Sequence, residues 1–483
     1  MASTVRALLV NPPFRYFLTR VPSLNYKRPP LGILYIASYV KEKLGLDVDI
    51  LDAYAENLSA QETLARLREY PYDIIGFSVT TPTVLLVRDL IESLKKDSAF
   101  KHTLFVVGGP HITLSHDEPT LAADISVLGE GEETFVDIIK HKNGELGLAD
   151  IKGIAYRSAT AGMVKNAPRE LIADLDRLPM PDRSKIKPEL YGHIFNYASQ
   201  GERFTTVFTS RGCRYSCAFC GNEKLWGSRE RRRSIDNVIA EIESLLSRGY
   251  RLIFFDDDNF LSSKEFAYGL LREILARGLK FAWVCHARVA SYEDRLLDMM
   301  ARAGCVEVQI GVESFNQEAL KAARKKIRVS QIRECISQFQ KRNIHVWATM
   351  IIGLPEEDVS SLRKSIDLLI EADPFYATFI MLLPFPGTAI YDMYKEKGYI
   401  VTEDWDRYSW HGDPVFRTDR LSRNDMVRIR KEAYRKFYLR TRTIARYLRV
   451  LHRYNMYGSM TKNLLRFIYF SFPGIIGQKD SPA

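Results

Sequence analysis

Cysteine is scarce in this chain, with six residues in 483 and none before Cys213. That excludes the disulfide framework of a small secreted domain and a second thiolate-bound cluster within residues 1–212. Long apolar runs are missing too, and none reaches the roughly 18 residues a membrane-spanning helix needs. The opening Met1-Ala2-Ser3-Thr4-Val5-Arg6 carries no signal-peptide pattern and leads straight into an apolar strand. A cytoplasmic, reducing compartment is the expectation. Excess negative charge is also lacking: the formal net charge is +10, unevenly placed. Between Phe416 and Phe470 there are 15 Lys and Arg against 3 Asp and Glu, so the basic character belongs to the C-terminal region.

What is present reads as a globular protein, 46% hydrophobic and 27% charged, and at 483 residues long enough for two or three domains. Residues 1–145 alternate short buried strands with helical segments, the pattern of an open, mostly parallel α/β sheet. Ligands of such sheets lie beyond the carboxyl ends of the strands, here Asn11, Ser78, Gly108 and Gly129. Residues 146–200 read as a linker, with a hairpin signal and the turn-rich Leu178-Pro179-Met180-Pro181-Asp182. From 201 to 400 there are six strand–helix units, with strands at Thr205–Thr209, Leu252–Asp256, Phe281–His286, Val306–Gly311, His345–Ile352 and Ala377–Leu383. Repeated βα units of this kind close toward a barrel. Residues 401–483 form a basic helical region ending in the apolar, aromatic Leu464–Ile476.

Three of the six cysteines are gathered in one loop after the first of those strands: Cys213, Cys217 and Cys220, a C-x3-C-x2-C array. Three thiolates on a short loop suit iron–sulfur or zinc. Structural zinc and electron-transfer clusters take four ligands, and the next cysteine is Cys285. An iron–sulfur cube held by three thiolates leaves one iron open to bind something else.

This array, with Phe219 just before its last cysteine and Gly221 just after, resembles the cluster loop of the radical S-adenosylmethionine (radical SAM) enzymes. The resemblance implies a [4Fe–4S] cluster on Cys213, Cys217 and Cys220, in a partial (β/α)6 TIM-like barrel. Its open iron would be chelated by the amino and carboxylate groups of SAM. One electron from a low-potential donor of flavodoxin or ferredoxin type then yields a 5′-deoxyadenosyl radical. The family's SAM-contacting motif at the end of the second strand is often Gly-Gly-Glu-like. This sequence departs from it with Asp256-Asp257-Asp258-Asn259, leaving Asn259 as the candidate contact. Arg288 and Glu313, at the ends of the third and fourth strands, resemble positions that reach the carboxylate and ribose of SAM.

The first region resembles the Rossmann-like cobalamin-binding domain. Ser78-Val79-Thr80, then 27 residues, then Gly108-Gly109 matches that fold's Ser-x-(Leu/Thr)…Gly-Gly spacing. The resemblance makes Ser78, Thr80, Gly108, Gly109, His111, Asn11, Gly129 and Glu130 candidate cobalamin contacts. The Asp-x-His-x-x-Gly motif that gives many such proteins a cobalt ligand is absent from residues 1–145, which implies cobalamin held without a histidine ligand. His111 also reads as a hydrogen-bonding loop histidine.

Cys285, Cys305 and Cys335 read as small buried hydrophobes, with a methyl-carrying cysteine as the alternative for Cys305 or Cys335. Arg229, Arg231, Arg232 and Arg233 read first as a solvated run and second as a contact for an acidic substrate or reductase. The resemblance as a whole implies a cobalamin-dependent radical SAM enzyme, methyltransferase-like, that moves a methyl group from methylcobalamin to an unactivated carbon or phosphorus of a small-molecule or lipid-like substrate. Cyclisation or rearrangement without methylation stands beside it, as does, outside catalysis, a cobalamin sensor or electron-transfer protein. The basic tail reads first as a cap on the barrel and second as a peripheral membrane contact. Nucleic acid is disfavoured.

Overall fold

Short runs rich in Val, Ile and Phe alternate with segments of helical period, and this builds two parallel sheets faced by helices. The computed structural model describes residues 5–14, 27–115, 122–158, 161–193, 202–289 and 292–453, so the Leu464–Ile476 stretch lies outside the described residues.

The first sheet holds β1 (Ala7–Asn11), β2 (Val48–Asp52), β3 (Ile74–Ser78), β4 (Leu104–Gly108), β5 (Ile125–Val127), β6 (Ile154–Ser158) and β7 (Gly162–Lys165). Its order is β2-β1-β3-β4-β5-β6-β7. The first five strands are parallel, with Asn11 in register with Asp52 and Ser78 with Gly108. In this doubly wound order the chain reverses between β1 and β3, and a crevice opens beyond their carboxyl ends. Asn11, Ser78, Gly108 and Gly129 all lie at that edge. The hairpin β6–β7, from the segment read as a linker, adds two antiparallel strands beyond β5.

The second sheet is β8 (Arg203–Val207), β11 (Tyr250–Phe255), β12 (Ala282–Ala287), β13 (Cys305–Glu313), β14 (His345–Ile352) and β15 (Tyr376–Met381), all parallel in chain order. These are the six expected strands, with boundaries displaced by at most two residues. The sheet does not close, so β8 and β15 are edges. Between β8 and β11 sits a two-residue ribbon the sequence did not suggest, β9 (Ser210–Arg211) against β10 (Arg231–Arg232). It cinches the base of the cysteine loop.

An exposed edge strand invites pairing with other chains, and the tyrosine-rich C-terminal helices cover β15. Tyr447 donates to the carbonyl of Phe375 (3.2 Å), and Tyr438 donates to that of Ala377 (2.6 Å). The Tyr434 hydroxyl accepts from the amide of Phe379 (3.4 Å), and the Trp410 carbonyl from that of Met381 (3.1 Å). Every second residue of the edge is thus closed. Much of the described C-terminal region is a cap.

The arginine run is not a solvated face. Arg231 is ion-paired with Glu130 (2.9 Å), Arg232 with Glu230, and Arg233 is buried on Glu241, which Arg183 also holds (2.7 Å). Only Arg229 of the four is exposed. Each burial is tolerated because a carboxylate accompanies it. Cys285, Cys305 and Cys335 are buried among apolar side chains, as read.

Candidate active site

The cysteine loop is fixed at both ends and at its middle. At its start, Asp257 accepts from the Thr209 amide (3.0 Å), the Thr209 hydroxyl (2.9 Å) and the Ser210 hydroxyl (2.5 Å), tying the loop to the end of β11. Ala218 donates its amide to the Ala323 carbonyl (2.9 Å) and receives the Ile390 amide on its own carbonyl (2.9 Å). Gly212 has φ +92°, and a Cβ there would stand 2.8 Å from the Arg229 carbonyl oxygen, so only glycine fits.

The three thiols are free, Cys213 and Cys217 half-buried and Cys220 exposed. Loss of water pushes the Cys213 thiol up, and the nearby Asp258 and Cys217 push it further. A bound metal must displace that proton. Among the described residues no three His, Cys, Asp or Glu side chains are grouped so as to hold a single metal ion. The donor set of three thiols on one loop is of the kind that holds an iron–sulfur cube.

Around the loop are buried polar atoms without partners among the described residues: both amide atoms of Asn259, Nη2 of Arg288, Oδ1 of Asn222 and Oδ2 of Asp257. The Arg288 guanidinium lies 3.9 Å over the Tyr215 ring, and its Nη1 is 3.6 Å from the Cys217 sulfur. Orphaned groups of this kind cost free energy unless a ligand completes them. A donor on Arg288 with a donor–acceptor pair on Asn259 suits a group carrying both a carboxylate and an amine. Burial lifts the Asp257 carboxyl to about 6, against the Ser210 and Thr209 hydrogen bonds that favour its charged form. Burial also raises Asp258, and Asp256 and Glu230 add to it. Asp256 is held below the usual range: burial works against it, but Arg28 and His286 prevail. Glu313 has φ 58° and bonds Lys325 (2.6 Å), so its carboxylate is already engaged beside the site.

At the carboxyl edge of the first sheet, Gly109 (φ +102°) would put a Cβ 2.9 Å from both the nitrogen and the oxygen of Val79. Its bareness therefore serves contact between the β3 and β4 ends. Gly129 (φ +91°) has no atom within 4 Å of a Cβ position, leaving open space for a ligand to approach the backbone. Thr80 is bonded to Thr83 through its amide (3.0 Å), and Asn11 donates to Asp52 (2.8 Å). His111 is buried, with Nδ1 3.1 Å from the Thr81 hydroxyl and its ring against Trp405.

The two sheets meet at this loop. Arg211, two residues before Cys213, forks onto Glu130 and Glu132, each at 2.6 Å, all three buried. Glu130, read from sequence as a cofactor contact, has its two carboxylate oxygens on Arg211, Arg231 and the Ile172 amide. A Cβ on Gly221 would stand 2.8 Å from Leu114, on the short helix after Gly109, so the cysteine loop packs directly on the first domain. Phe219 packs on the apolar core. Arg28 reaches the end of β11 to pair with Asp256, its guanidinium 4.1 Å over Phe254. Sequence reasoning missed Arg28, Arg211 and Glu132, whose partners lie 79 or more positions away.

A thiol-bearing loop on a partial parallel barrel, set against the ligand edge of a doubly wound sheet, defines a radical SAM enzyme with a B12-binding domain. Residues 207–369 match the Radical SAM superfamily and residues 19–139 the B12 binding domain. The chain is 30% identical over 447 residues to an uncharacterized methyltransferase of Pyrococcus horikoshii, covering 91% of this chain and 94% of that one. It is 28% identical over 454 residues to the cytidylyl-2-hydroxyethylphosphonate methyltransferase of Streptomyces wedmorensis, 83% of each being covered. Its fold is similar to that of the radical SAM methyltransferase TsrM from Kitasatospora setae, with TM-score 0.64 and 19% identity over 83% of this chain and 76% of that one. This chain belongs to the cobalamin-binding radical SAM family and is an enzyme whose cofactors are a [4Fe–4S] cluster, SAM and cobalamin.

Proposed function

We propose that the enzyme transfers a methyl group to an unactivated carbon or phosphorus of a small-molecule or lipid-like substrate. The observation that carries this is the direct abutment of the two ligand edges, through Arg211 on Glu130 and Glu132 and through Leu114 on Gly221. A substrate bound there is reached from both sides without leaving. When bound, the cluster and SAM together supply a hydrogen-abstracting radical, and cobalamin carries the methyl group.

The chain's own residues bind, orient and exclude water. Cys213, Cys217 and Cys220 hold the cluster; Asn259 and Arg288 take the amino-acid end of SAM, with Phe219, Gly221 and Glu313 shaping the surround. Ser78, Thr80, Gly108, Gly109 and Gly129 cradle the cobalamin, with Asn11, Glu130 and His111 behind them as supports. The electron comes from a low-potential flavodoxin or ferredoxin. The relatives named as methyltransferases favour this reading.

The test is anaerobic reconstitution with iron, sulfide, SAM, cobalamin and dithionite, followed by mass spectrometry of cell extract. The expected result is 5′-deoxyadenosine release and a compound about 14 mass units heavier, one methylene's worth, both lost in Cys217→Ala. Deoxyadenosine release with a product that gains no methyl refutes methyl transfer while leaving the family assignment standing.

A further inference from the structure

We propose that the outer face of the helix Thr441–Arg453 docks on an anionic lipid surface. Of the eight large hydrophobic residues exposed among the described residues, three fall in one ten-residue stretch: Leu439, Ile444 and Leu448, each about half exposed. Ile444 and Leu448 are four apart and share one side of the helix. The neighbouring side, about 100° round the helix, is spent on the barrel, with Thr443 buried and Tyr447 donating to Phe375 on the sheet edge. The apolar side is therefore free of the core and turned outward.

Positive charge flanks it. Arg442 is 76% exposed, Arg449 is exposed beside it seven positions on, and the helix carries no acidic residue. The nearest carboxylate, Asp373, is shared by Arg440, Arg442 and Arg446, so one negative charge faces three positive ones. Arg442 and Arg449 form a second stripe about 130° round the helix from Ile444 and Leu448. An exposed surface carrying an apolar stripe and an arginine stripe side by side is the arrangement of a helix lying in a membrane interface. A nucleic acid would be met by the arginine stripe alone and would leave Ile444 and Leu448 in water.

The chain beyond Arg453 is a poor alternative occupant. It carries Lys462 and Arg466 and no acidic residue before Asp480, so it repels the arginines it would have to cover. This inference does not depend on methyl transfer.

The test is co-sedimentation of the full chain with phosphatidylglycerol-containing vesicles and with phosphatidylcholine vesicles. Expected is binding at least about ten-fold tighter to the anionic vesicles, since each surface arginine contributes about five-fold, and release at high salt. Ile444→Glu with Leu448→Glu should abolish it, and Arg442→Ser with Arg449→Ser should weaken it by at least about ten-fold, while thermal unfolding stays unchanged. Several results overturn the proposal: no vesicle binding, equal binding to both vesicle types, or binding that survives Ile444→Glu with Leu448→Glu. Dimerisation through this face, or retention on nucleic acid in place of vesicles, overturns it as well.

Discussion

Replacing Arg211 by methionine tests how the two domains are held together. The change keeps an aliphatic stem and removes the charged guanidinium, whose carbon lies 5.4 Å from the centroids of both the Tyr35 and Trp226 rings. Glu132 then loses the partner it holds at 2.6 Å, whereas Glu130 keeps Arg231 at 2.9 Å. Stripping one member from a buried pair costs about 3–5 kcal/mol, and the surviving Arg231 contact puts the expected loss near the lower end, about 3 kcal/mol. Much of that is the stranded Glu132 charge, so Arg211→Met with Glu132→Leu should recover about 1–2 kcal/mol of it. The assay is anaerobic urea unfolding followed by tryptophan fluorescence, compared as midpoint and slope. Because the fork sits two residues before Cys213, the single variant should also release cluster iron to a chelator faster than wild type. A single-variant loss below about 1 kcal/mol, or a double variant less stable than the single by a further 3 kcal/mol or so, refutes the argument that this buried fork joins the domains.

Other outcomes follow from the same coordinates. Glu357, buried between Ser314 (2.7 Å) and the amides of Gly353 and Leu354 (3.0 Å each), is pushed up to about 8 by burial despite those bonds. A carboxyl whose folded value is raised binds more protons folded than unfolded, so stability is greatest at low pH. It falls as pH rises from about 4.5 toward 8, by up to about 5 kcal/mol. Glu357→Gln should flatten that slope in melting curves taken across the window, and an unchanged slope would reject the assignment. Gly109→Ala forces a side chain into φ +102° and onto Val79, which should cost about 1–3 kcal/mol and prevent cobalamin uptake, scored by absorbance after refolding with the vitamin. Tyr438→Phe leaves the Ala377 carbonyl without the 2.6 Å bond that closes the barrel edge, for an expected loss of about 1–3 kcal/mol and concentration-dependent aggregation, measured by light scattering. Arg288→Met should weaken SAM binding with cluster absorbance retained; equal SAM affinity would remove Arg288 from the site.

The linear chain by itself determined the two sheets, because each strand and helix is set by local period and turn residues that lie within a dozen positions of one another. It determined the cluster loop as well, since three thiols in eight residues need no folding partner to be recognised together. The glycines at 108, 109 and 129 were legible as backbone positions, but the reason for Gly109, contact with Val79, was not. What only the tertiary structure decided are contacts between distant segments. The arginine run after the loop looked solvated until Glu130 and Glu241 were brought beneath it. The tyrosines of the tail had no visible purpose until an open barrel edge was laid against them. Glu130 passed from ligand candidate to domain tie when Arg211, 81 residues on, folded against it. A buried charge is stable only beside its counter-charge, and a sequence does not say which carboxylate will arrive.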